Sequence, residues 1–332
     1  MRTAICVALL LAGFSPGILA SSAPSRLSRI YFLGTEYVRI DDWARSHGFR
    51  TQWTTWKDEL KVSSQYTTIV FNVDSRRVTI NGVAVWLSTA IALRNNTAHI
   101  SPIDLSTSID PILFPSKNPP GKPLTTICLD PGHGGKDPGN LEGRQQEKKY
   151  TLLLAQELKA TLTRAGLKVV LTRTGDTYPD RNERPAIANR RGADLFVSLH
   201  FNSADSVAAR SVQGVEVYCL TPSRAASTNT RGPVPGAASQ PGNRLDSKNV
   251  LLAYQIQRAM VKGLGAEDRG VRRARWEVLL TPEMPAVLIE AGFMTHPIEA
   301  KKIYSSVHRQ QMAQAITAGI LAYKKAVEPS AQ

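Results

Sequence analysis

The sequence predicts an α/β fold, with a mostly parallel sheet covered by helices on both faces, preceded by a smaller strand-rich α+β domain. From residue 124 onward, short apolar runs alternate with amphipathic helical patterns, which is typical of parallel strands joined by helices. Before residue 115, strand patterns dominate, and a proline-rich stretch separates the two regions. At 332 residues with 42% hydrophobic content, the chain is long enough to bury a full core.

The first twenty residues are typical of a secretory signal peptide. Arg2 precedes a short apolar run, and a small residue, Ala20, stands directly before Ser21. The run is too short to cross a bilayer, although a buried N-terminal helix is an alternative. We therefore expect an exported protein of the periplasm or cell envelope, with no membrane anchor.

The net charge of +14 is spread along the chain. A basic surface favours polyanionic partners such as an acidic wall polymer or anionic lipid, and export makes nucleic acid the poorest candidate. A solvated basic surface without a specific partner is an equal alternative. Cys128 and Cys219 lie in strand-like runs and are expected to be buried free thiols, with a disulfide as the alternative.

Residues 21–114 are expected to form the strand-rich domain. Strand patterns at 67–73 and 77–80 lead into Asn81-Gly82, a pair that favours a β-hairpin turn. Residues 37–53 resemble the stalk-like domain named after the N-terminus of copper amine oxidases. This resemblance implies a spacer or wall-binding role, and no copper follows from it.

Residues 115–123 contain four prolines and a glycine, which predicts a linker, and the second domain is expected over 124–328. Strands are predicted at 124–129, 168–172, 195–200, 214–220 and 287–290, and helices at 147–165, 181–191, 250–263 and 310–327. Residues 221–246 are rich in Pro, Gly, Ser, Thr and Arg and are expected to form a flexible surface insert.

Two histidines and two glutamates fall at the ends of these elements. Ligands bind at the carboxyl ends of strands in parallel sheets; His133 follows the first strand, His200 ends a later one and Glu290 ends the last. Glu147 lies seven residues before Leu154 and extends the inward face of its helix. Two imidazoles and one carboxylate form the ligand set of a catalytic zinc, and the fourth residue can act as general base. The sequence therefore predicts a zinc hydrolase.

Each glutamate also has a structural alternative. Glu147 could be an acid at a helix N-terminus that reaches solvent, where the helix dipole favours it. Glu290 could form a buried salt bridge with an arginine. Of the other histidines, His47 and His99 are expected to be ordinary fold residues, and His308 is expected to be exposed to solvent.

The second domain resembles the zinc-dependent N-acetylmuramoyl-L-alanine amidases, a family of cell-wall amidases. The similar runs are LDPGHGGKDPG at 129–139, EK at 147–148, VVLTR at 169–173, ER at 183–184, AN at 188–189, ADLFVSLHFNS at 193–203, GVEVY at 214–218 and MPAVLIEAGF at 284–293. The resemblance implies that His133, Glu147 and His200 hold one zinc ion and that Glu290 is catalytic.

The chain also departs from the family pattern. Phe201 stands where the family usually has a small residue, and His296 stands where Asn is common. The insert at 221–246 lies where some members carry a regulatory helix that plugs the site, but it lacks a helical pattern.

The family resemblance implies hydrolysis of the amide between N-acetylmuramic acid and L-alanine of the stem peptide. On charge alone, Arg173, Arg184 and Arg275 are candidates for contacts with stem-peptide carboxylates. We expect a monomer whose partners are peptidoglycan and, as an open question, a protein activator. A zinc endopeptidase of the stem peptide, a non-catalytic wall-binding protein and, more distantly, a nucleic-acid binder are the alternatives.

Overall fold

A computed structural model describes residues 27–205, 207, 209–230 and 238–329. The predicted signal peptide, at residues 1–20, lies outside the described residues. Within the described ranges, no helix combines the length and the apolar character that a membrane span requires.

In the N-terminal part, the elements are β1 (Arg29–Phe32), β2 (Thr35–Arg39), α1 (Ile40–Ser46), β3 (Arg50–Thr55), β4 (Glu59–Ser63), β5 (Thr68–Asn72), β6 (Arg77–Ile80), β7 (Val83–Trp86), β8 (Ala92–Arg94), β9 (Thr97–Ile100), α2 (Pro102–Asp104), a π-helical turn (Leu105–Ile109) and α3 (Asp110–Leu113). In the C-terminal part, they are β10 (Thr126–Pro131), β11 (Leu141–Glu142), β12 (Gln145–Gln146), α4 (Glu147–Arg164), β13 (Lys168–Leu171), α5 (Glu183–Arg190), β14 (Leu195–Asn202), β15 (Val215–Leu220), a 3-10 turn (Pro241–Leu245), α6 (Asp246–Leu264), β16 (Asp268–Ala274), α7 (Glu277–Leu280), β17 (Ala286–Phe293), α8 (Pro297–Tyr304) and α9 (Ser306–Val327).

Among the described residues, eleven strands form one sheet in the order β13-β10-β14-β17-β15-β16-β7-β6-β5-β4-β3. The first four strands are parallel, whereas β15 is antiparallel to β17 and the N-terminal strands β3 to β7 are antiparallel to one another. The prediction of a mostly parallel sheet is therefore not confirmed, because the sheet is mixed. Residues 215–220 are buried throughout, so their apolar run has no feature that reveals strand direction.

The sheet is continuous across the proline-rich stretch. β7 pairs in parallel with β16, with Val85 opposite Val271. The Ala84 amide donates to Asp268 Oδ2 at 2.7 Å, and the Trp86 indole donates to the Arg269 carbonyl at 2.8 Å. The division into a domain at 21–114, a linker at 115–123 and a domain at 124–328 stays a prediction. The strands on both sides of that stretch belong to one sheet.

Helices cover both faces of the C-terminal part of the sheet. α4 packs on one face with α6 and α9, and its inward stripe of Tyr150, Leu154, Leu158 and Leu162 is buried. A second apolar cluster on the other face includes residues of α5 and α7. The two described cysteines, Cys128 and Cys219, are buried free thiols, as expected.

In the C-terminal part, the longest elements that the sequence analysis missed are β16 and α8, and it also missed the short elements β11, β12 and α7. β16 contains Asp268, Arg269, Arg272 and Arg273, so it lacks an apolar run. α8 is only eight residues long and lies directly before α9, which begins four residues earlier than predicted. The described part of the insert, 221–230 and 238–246, contains turns and the start of α6.

Candidate metal centre and active-site cleft

The four predicted site residues meet at one end of the sheet. His133 lies two residues after β10, His200 lies in β14 and Glu290 in β17, and these three strands are parallel neighbours. The register places His200 directly opposite Glu290. Glu147 is the first residue of α4, which packs against β10 and β14. The four side chains thus lie together at the carboxyl ends of the parallel strands, which is the location that the sequence predicts.

The Glu147 carboxylate lies between the two imidazoles. Its Oε2 is 3.1 Å from His133 Nε2, and its Oε1 is 3.0 Å from His200 Nδ1. The two rings are perpendicular within about 10°, at an interplanar angle of 79°, with centroids 4.8 Å apart. One ligand atom from each residue lies within 4.8 Å of the others. These three residues could hold a metal ion.

The backbone around this cluster leaves no room for additional side-chain atoms. A Cβ on Gly139 would lie 2.6 Å from Glu147 Oε2, and a Cβ on Gly132 would lie 2.3 Å from the His200 ring. Glycine at these two positions lets the loop of residues 132–139, the metal loop, approach the three side chains. Two imidazoles and a buried carboxylate, enclosed in this way, fit the ligand preference of zinc.

His133 is oriented by an acid that the sequence analysis did not assign. Asp137 Oδ2 lies 2.9 Å from His133 Nδ1, and Asp137 Oδ1 accepts a hydrogen bond from the Gly139 amide at 3.0 Å. This contact favours a proton on Nδ1 and leaves the Nε2 lone pair directed at the metal cluster. The sequence feature that could have revealed Asp137 is its position four residues after His133 in the same glycine-rich loop.

The charge of Glu147 is stabilised in its buried position. Burial alone would raise the pKa of Glu147, but the contacts with His133 and His200 outweigh it and hold that pKa well below its ordinary value. The Asn140 and Phe201 amides also donate to this carboxylate, at 2.9 and 3.0 Å. Only 4% of Glu147 is exposed, so the alternative of a solvent-facing helix acid is wrong.

Two of the arginines that the sequence analysis names as candidates for substrate contacts donate hydrogen bonds to the backbone at the metal loop. Arg184 donates to the His133 carbonyl at 2.8 Å and pairs with the buried carboxylate of Asp130, also at 2.8 Å. Arg173 donates to the Gly132 and Pro131 carbonyls at 2.8 and 2.9 Å. Both arginines are buried, so their guanidinium groups fix the backbone that carries His133.

Glu290 has a different environment from the three candidate metal ligands. It is buried, and its Oε2 has no hydrogen-bond partner among the described residues. Burial raises the pKa of Glu290 well above its ordinary value, and the negative charges of Glu147 and Glu216 add to this effect. The Glu290 salt bridge considered above is therefore not formed at this oxygen. A buried carboxyl group without a partner, in a cleft, is typical of a group that works on a ligand.

The nearby arginines pair with Glu216 instead, a second residue that the sequence analysis did not assign. Glu216 lies opposite Glu290 in the antiparallel pair of β15 and β17. Its Oε2 accepts from Arg269 Nε at 2.9 Å and lies 2.8 Å from Arg272 Nε, and Asn202 donates to its Oε1 at 2.7 Å. The pattern that could have revealed Glu216 is an acid inside a wholly buried strand.

The site opens into a cleft of about 520 Å³. The cleft is lined by all four predicted site residues and by Asp130, Asp137, Tyr178, Arg181, Arg184, Phe201, Asn202, Ser203, Arg275, Trp276, Glu277, Val278 and Leu288. Of the two departures from the family pattern, Phe201 lines the cleft. His296 accepts a hydrogen bond from the Glu299 amide at 3.4 Å and caps α8.

Comparisons with known proteins show the family of the C-terminal part. Residues 127–322 match a family model described as N-acetylmuramoyl-L-alanine amidase. The N-acetylmuramoyl-L-alanine amidase LytC of Bacillus subtilis is 34% identical over 198 residues, which cover 60% of this chain and 35% of LytC. AmiC of Neisseria meningitidis, which carries the same enzyme name, is 34% identical over 221 residues, 59% of this chain and 52% of AmiC. The chain thus spans about half or less of the length of these two relatives.

A solved structure shares the fold of the C-terminal part. The N-acetylmuramoyl-L-alanine amidase AmiC2 of Nostoc punctiforme superimposes with a TM-score of 0.51 and 31% sequence identity, over 62% of this chain and 99% of that one. The family match covers more than half of the chain and contains all four residues of the predicted site. The chain therefore belongs to the N-acetylmuramoyl-L-alanine amidase family.

Proposed function

We propose that this chain is a zinc-dependent peptidoglycan hydrolase that cleaves the amide between N-acetylmuramic acid and L-alanine of the stem peptide. The observation that supports this most directly is the convergence of His133, Glu147 and His200 with Glu290 in one cleft. Family membership supports the choice of substrate, because the relatives are named for this reaction.

Zinc would be held by His133 Nε2, His200 Nδ1 and the Glu147 carboxylate. When bound there, zinc would polarise the scissile carbonyl and acidify a water molecule toward neutral pH. Asp137 keeps the His133 ring in the orientation that this requires. Arg184 and Arg173 hold the metal loop in place through its carbonyl oxygens.

Glu290 would act as general base and then as general acid. Its carboxylate takes a proton from the attacking water, whose oxygen bonds to the lactyl carbonyl carbon. The carbon–nitrogen bond then breaks, and Glu290 returns the proton to the nitrogen of the departing L-alanine. The unpaired Oε2 of Glu290 is the atom that is free for this transfer.

The substrate would lie along the cleft between the metal loop and Arg275. Stem peptides carry carboxylates, and Arg275 and Arg181 contribute positive charge to the lining of the cleft. Arg184 also lines the cleft, but its donors are directed at the metal loop and at Asp130, which favours a positioning role.

Product analysis tests this proposal. Purified wall sacculi are incubated with the protein, and the released fragments are identified by mass spectrometry. An amidase releases intact stem peptides with a free L-alanine amine, whereas an endopeptidase leaves shortened peptides on the sugar. Release of neither product by zinc-loaded protein would refute the proposed activity and leave a wall-binding role.

The proposed location is the cell envelope, reached by export. One relative of this chain is named a probable cell wall amidase, LytH of Staphylococcus saprophyticus. Sequencing the N-terminus of the secreted protein tests the export proposal, and a mature chain that begins at Ser21 is expected.

A further inference from the structure

Arg76 connects the N-terminal strands to the side of the proposed active site. It lies between β5 and β6 and is half-buried. Its Nη2 donates to the Ser227 carbonyl at 3.0 Å, and its Nη1 donates to the Thr230 carbonyl at 3.4 Å. Its Nε donates to the Leu87 carbonyl at 2.8 Å, which fixes the guanidinium relative to the N-terminal strands. One side chain therefore holds residues 227 and 230 against the strands that precede the linker.

Ser227 also binds Arg275, a residue that lines the cleft. Only 4% of Ser227 is exposed, and its hydroxyl accepts a hydrogen bond from Arg275 Nη1 at 3.1 Å. The same hydroxyl lies 2.8 Å from Thr221 Oγ1. Arg76 and Arg275 thus bind one residue from opposite sides, the first through its carbonyl and the second through its hydroxyl.

Arg275 completes this connection as part of the lining of the cleft. Its Nη2 donates to the Ala225 carbonyl at 2.7 Å and to the Pro222 carbonyl at 3.2 Å. The position of the Arg275 guanidinium therefore depends on the backbone of residues 222–227. Trp276, the next residue, lines the same cleft and packs on Tyr218 with ring centroids 4.3 Å apart.

We propose that Arg76 is a positioning residue that holds residues 222–230, the cleft-side segment, and through them Arg275 in the geometry that binds substrate. The N-terminal strands would then act as part of the hydrolase rather than only as a wall-binding or spacer unit. This inference rests on the proposed function for its kinetic consequence, although the contact itself does not depend on which bond is cut.

The cleft-side segment also has an anchor that is independent of Arg76. The Thr228 amide donates to the Arg273 carbonyl at 2.9 Å, and the Arg273 amide donates to Thr228 Oγ1 at 3.0 Å. Loss of Arg76 should therefore loosen the segment without removing it from β16. We expect substrate affinity to fall while the metal centre and Glu290 remain in place.

The test compares Arg76→Ala with Arg77→Ala in the full chain loaded with zinc. Arg77 is the exposed neighbouring arginine, so Arg77→Ala removes the same charge without removing the contact to Ser227. With a soluble N-acetylmuramoyl-pentapeptide as substrate, we expect Arg76→Ala to raise KM roughly threefold to tenfold, since the loss of hydrogen bonds from a charged donor is only partly transmitted. We expect kcat to change less than about twofold. Arg76→Lys restores one donor and should give an intermediate KM.

A second measurement does not need an active enzyme. Three amides of the cleft-side segment, those of Ala225, Thr228 and Thr230, donate hydrogen bonds within the fold. Hydrogen exchange measured by mass spectrometry should increase in residues 221–230 of Arg76→Ala and remain at the wild-type level in Arg77→Ala. If the wild-type protein releases no stem peptide, the proposed function fails, and the exchange measurement still decides whether Arg76 positions the segment.

Two results would overturn the inference. One is a KM and an exchange rate at 221–230 that are the same in Arg76→Ala and Arg77→Ala. The other is faster exchange throughout residues 124–328 in Arg76→Ala, which would make Arg76 a residue of general stability.

Discussion

The proposed metal ligands and Glu290 line one cleft, but they differ in their hydrogen bonding. The Glu147 carboxylate accepts hydrogen bonds from two backbone amides and contacts both imidazoles, and Asp137 orients His133. Glu290 is also buried, yet its Oε2 has no hydrogen-bond partner among the described residues. The residues that would hold an ion are held by hydrogen bonds within the fold, whereas the residue that would move protons keeps an oxygen without a hydrogen bond. This difference predicts that substitution of a proposed ligand lowers zinc content, whereas substitution of Glu290 lowers activity without loss of zinc.

The largest effect is expected from Glu147→Gln. The neutral amide cannot supply a charged oxygen between the two imidazoles, so zinc content should fall from about one ion per chain toward zero. Activity on sacculi should fall by roughly 10⁴-fold or more, because the activated water is lost with the metal. Zinc is measured by atomic emission and activity by peptide release.

Glu157→Gln is the matched control for Glu147→Gln. Glu157 lies on the same helix and pairs with Arg309 at 3.4 Å, away from the cleft. It should retain zinc and activity. A Glu147→Gln protein that keeps full zinc content would remove Glu147 from the ligand set.

Glu290→Gln should separate metal binding from catalysis. The glutamine preserves the shape of the side chain but cannot take a proton from water, so kcat should fall about 10²- to 10⁴-fold. Zinc content should not change, because Glu290 does not belong to the ligand cluster. The exposed Glu283, which precedes β17, provides the control in Glu283→Gln. Equal activity in the two variants would exclude Glu290 as the general base.

The sequence predicted that His133, Glu147, His200 and Glu290 converge, because each lies near the end of an apolar run or opens a helix in a parallel β-α arrangement. It did not predict Asp137 or Glu216, whose roles depend on which side chains face them. His133 meets Asp137 within one loop, but Glu216 meets Glu290 only because β15 runs antiparallel to β17. The sequence of a strand that is buried on both faces does not indicate the direction of that strand. The prediction of a mostly parallel sheet therefore wrongly included β15.

The N-terminal part was also predicted only in part. The strand patterns and the Asn81-Gly82 turn between β6 and β7 are present in the structure. The pairing of β7 with β16 could not be predicted, since β16 carries four charged residues among its seven and has no apolar run. Pairing of strands that are distant in sequence depends on tertiary contacts that local patterns do not contain.

Asp137→Asn should have an intermediate effect that concerns the metal side alone. Without the carboxylate, the His133 ring is less firmly oriented and less basic, and zinc affinity should fall roughly 10- to 100-fold. Competition with a chromogenic chelator measures this affinity. Asp176→Asn is the informative comparison, because Asp176 accepts from the Gly135 amide of the metal loop at 2.7 Å without touching His133. If both variants lose the same affinity, the role of Asp137 is to hold the loop and not the imidazole.

The smallest effect is expected on the stability of the metal-free protein. The raised pKa of Glu290 means that the native state holds this proton more tightly than the unfolded chain, where the ordinary pKa is 4.5. As pH rises above 4.5, the unfolded state loses the proton first, so this group's contribution to the free energy of unfolding decreases until the native carboxyl also ionises. The slope from one such group is at most about 1.4 kcal/mol per pH unit. Glu290→Gln should remove this part of the pH dependence.

Urea unfolding of wild-type and Glu290→Gln protein between pH 4.5 and neutral pH, both freed of metal, measures the difference directly. The histidines and the other carboxyl groups titrate in both proteins, so their contributions largely cancel in the comparison. Parallel stability curves would mean that Glu290 has a bound partner in solution. Glu290 would then resemble the hydrogen-bonded candidate metal ligands, and the unpaired oxygen on which the proposed proton transfer depends would be absent.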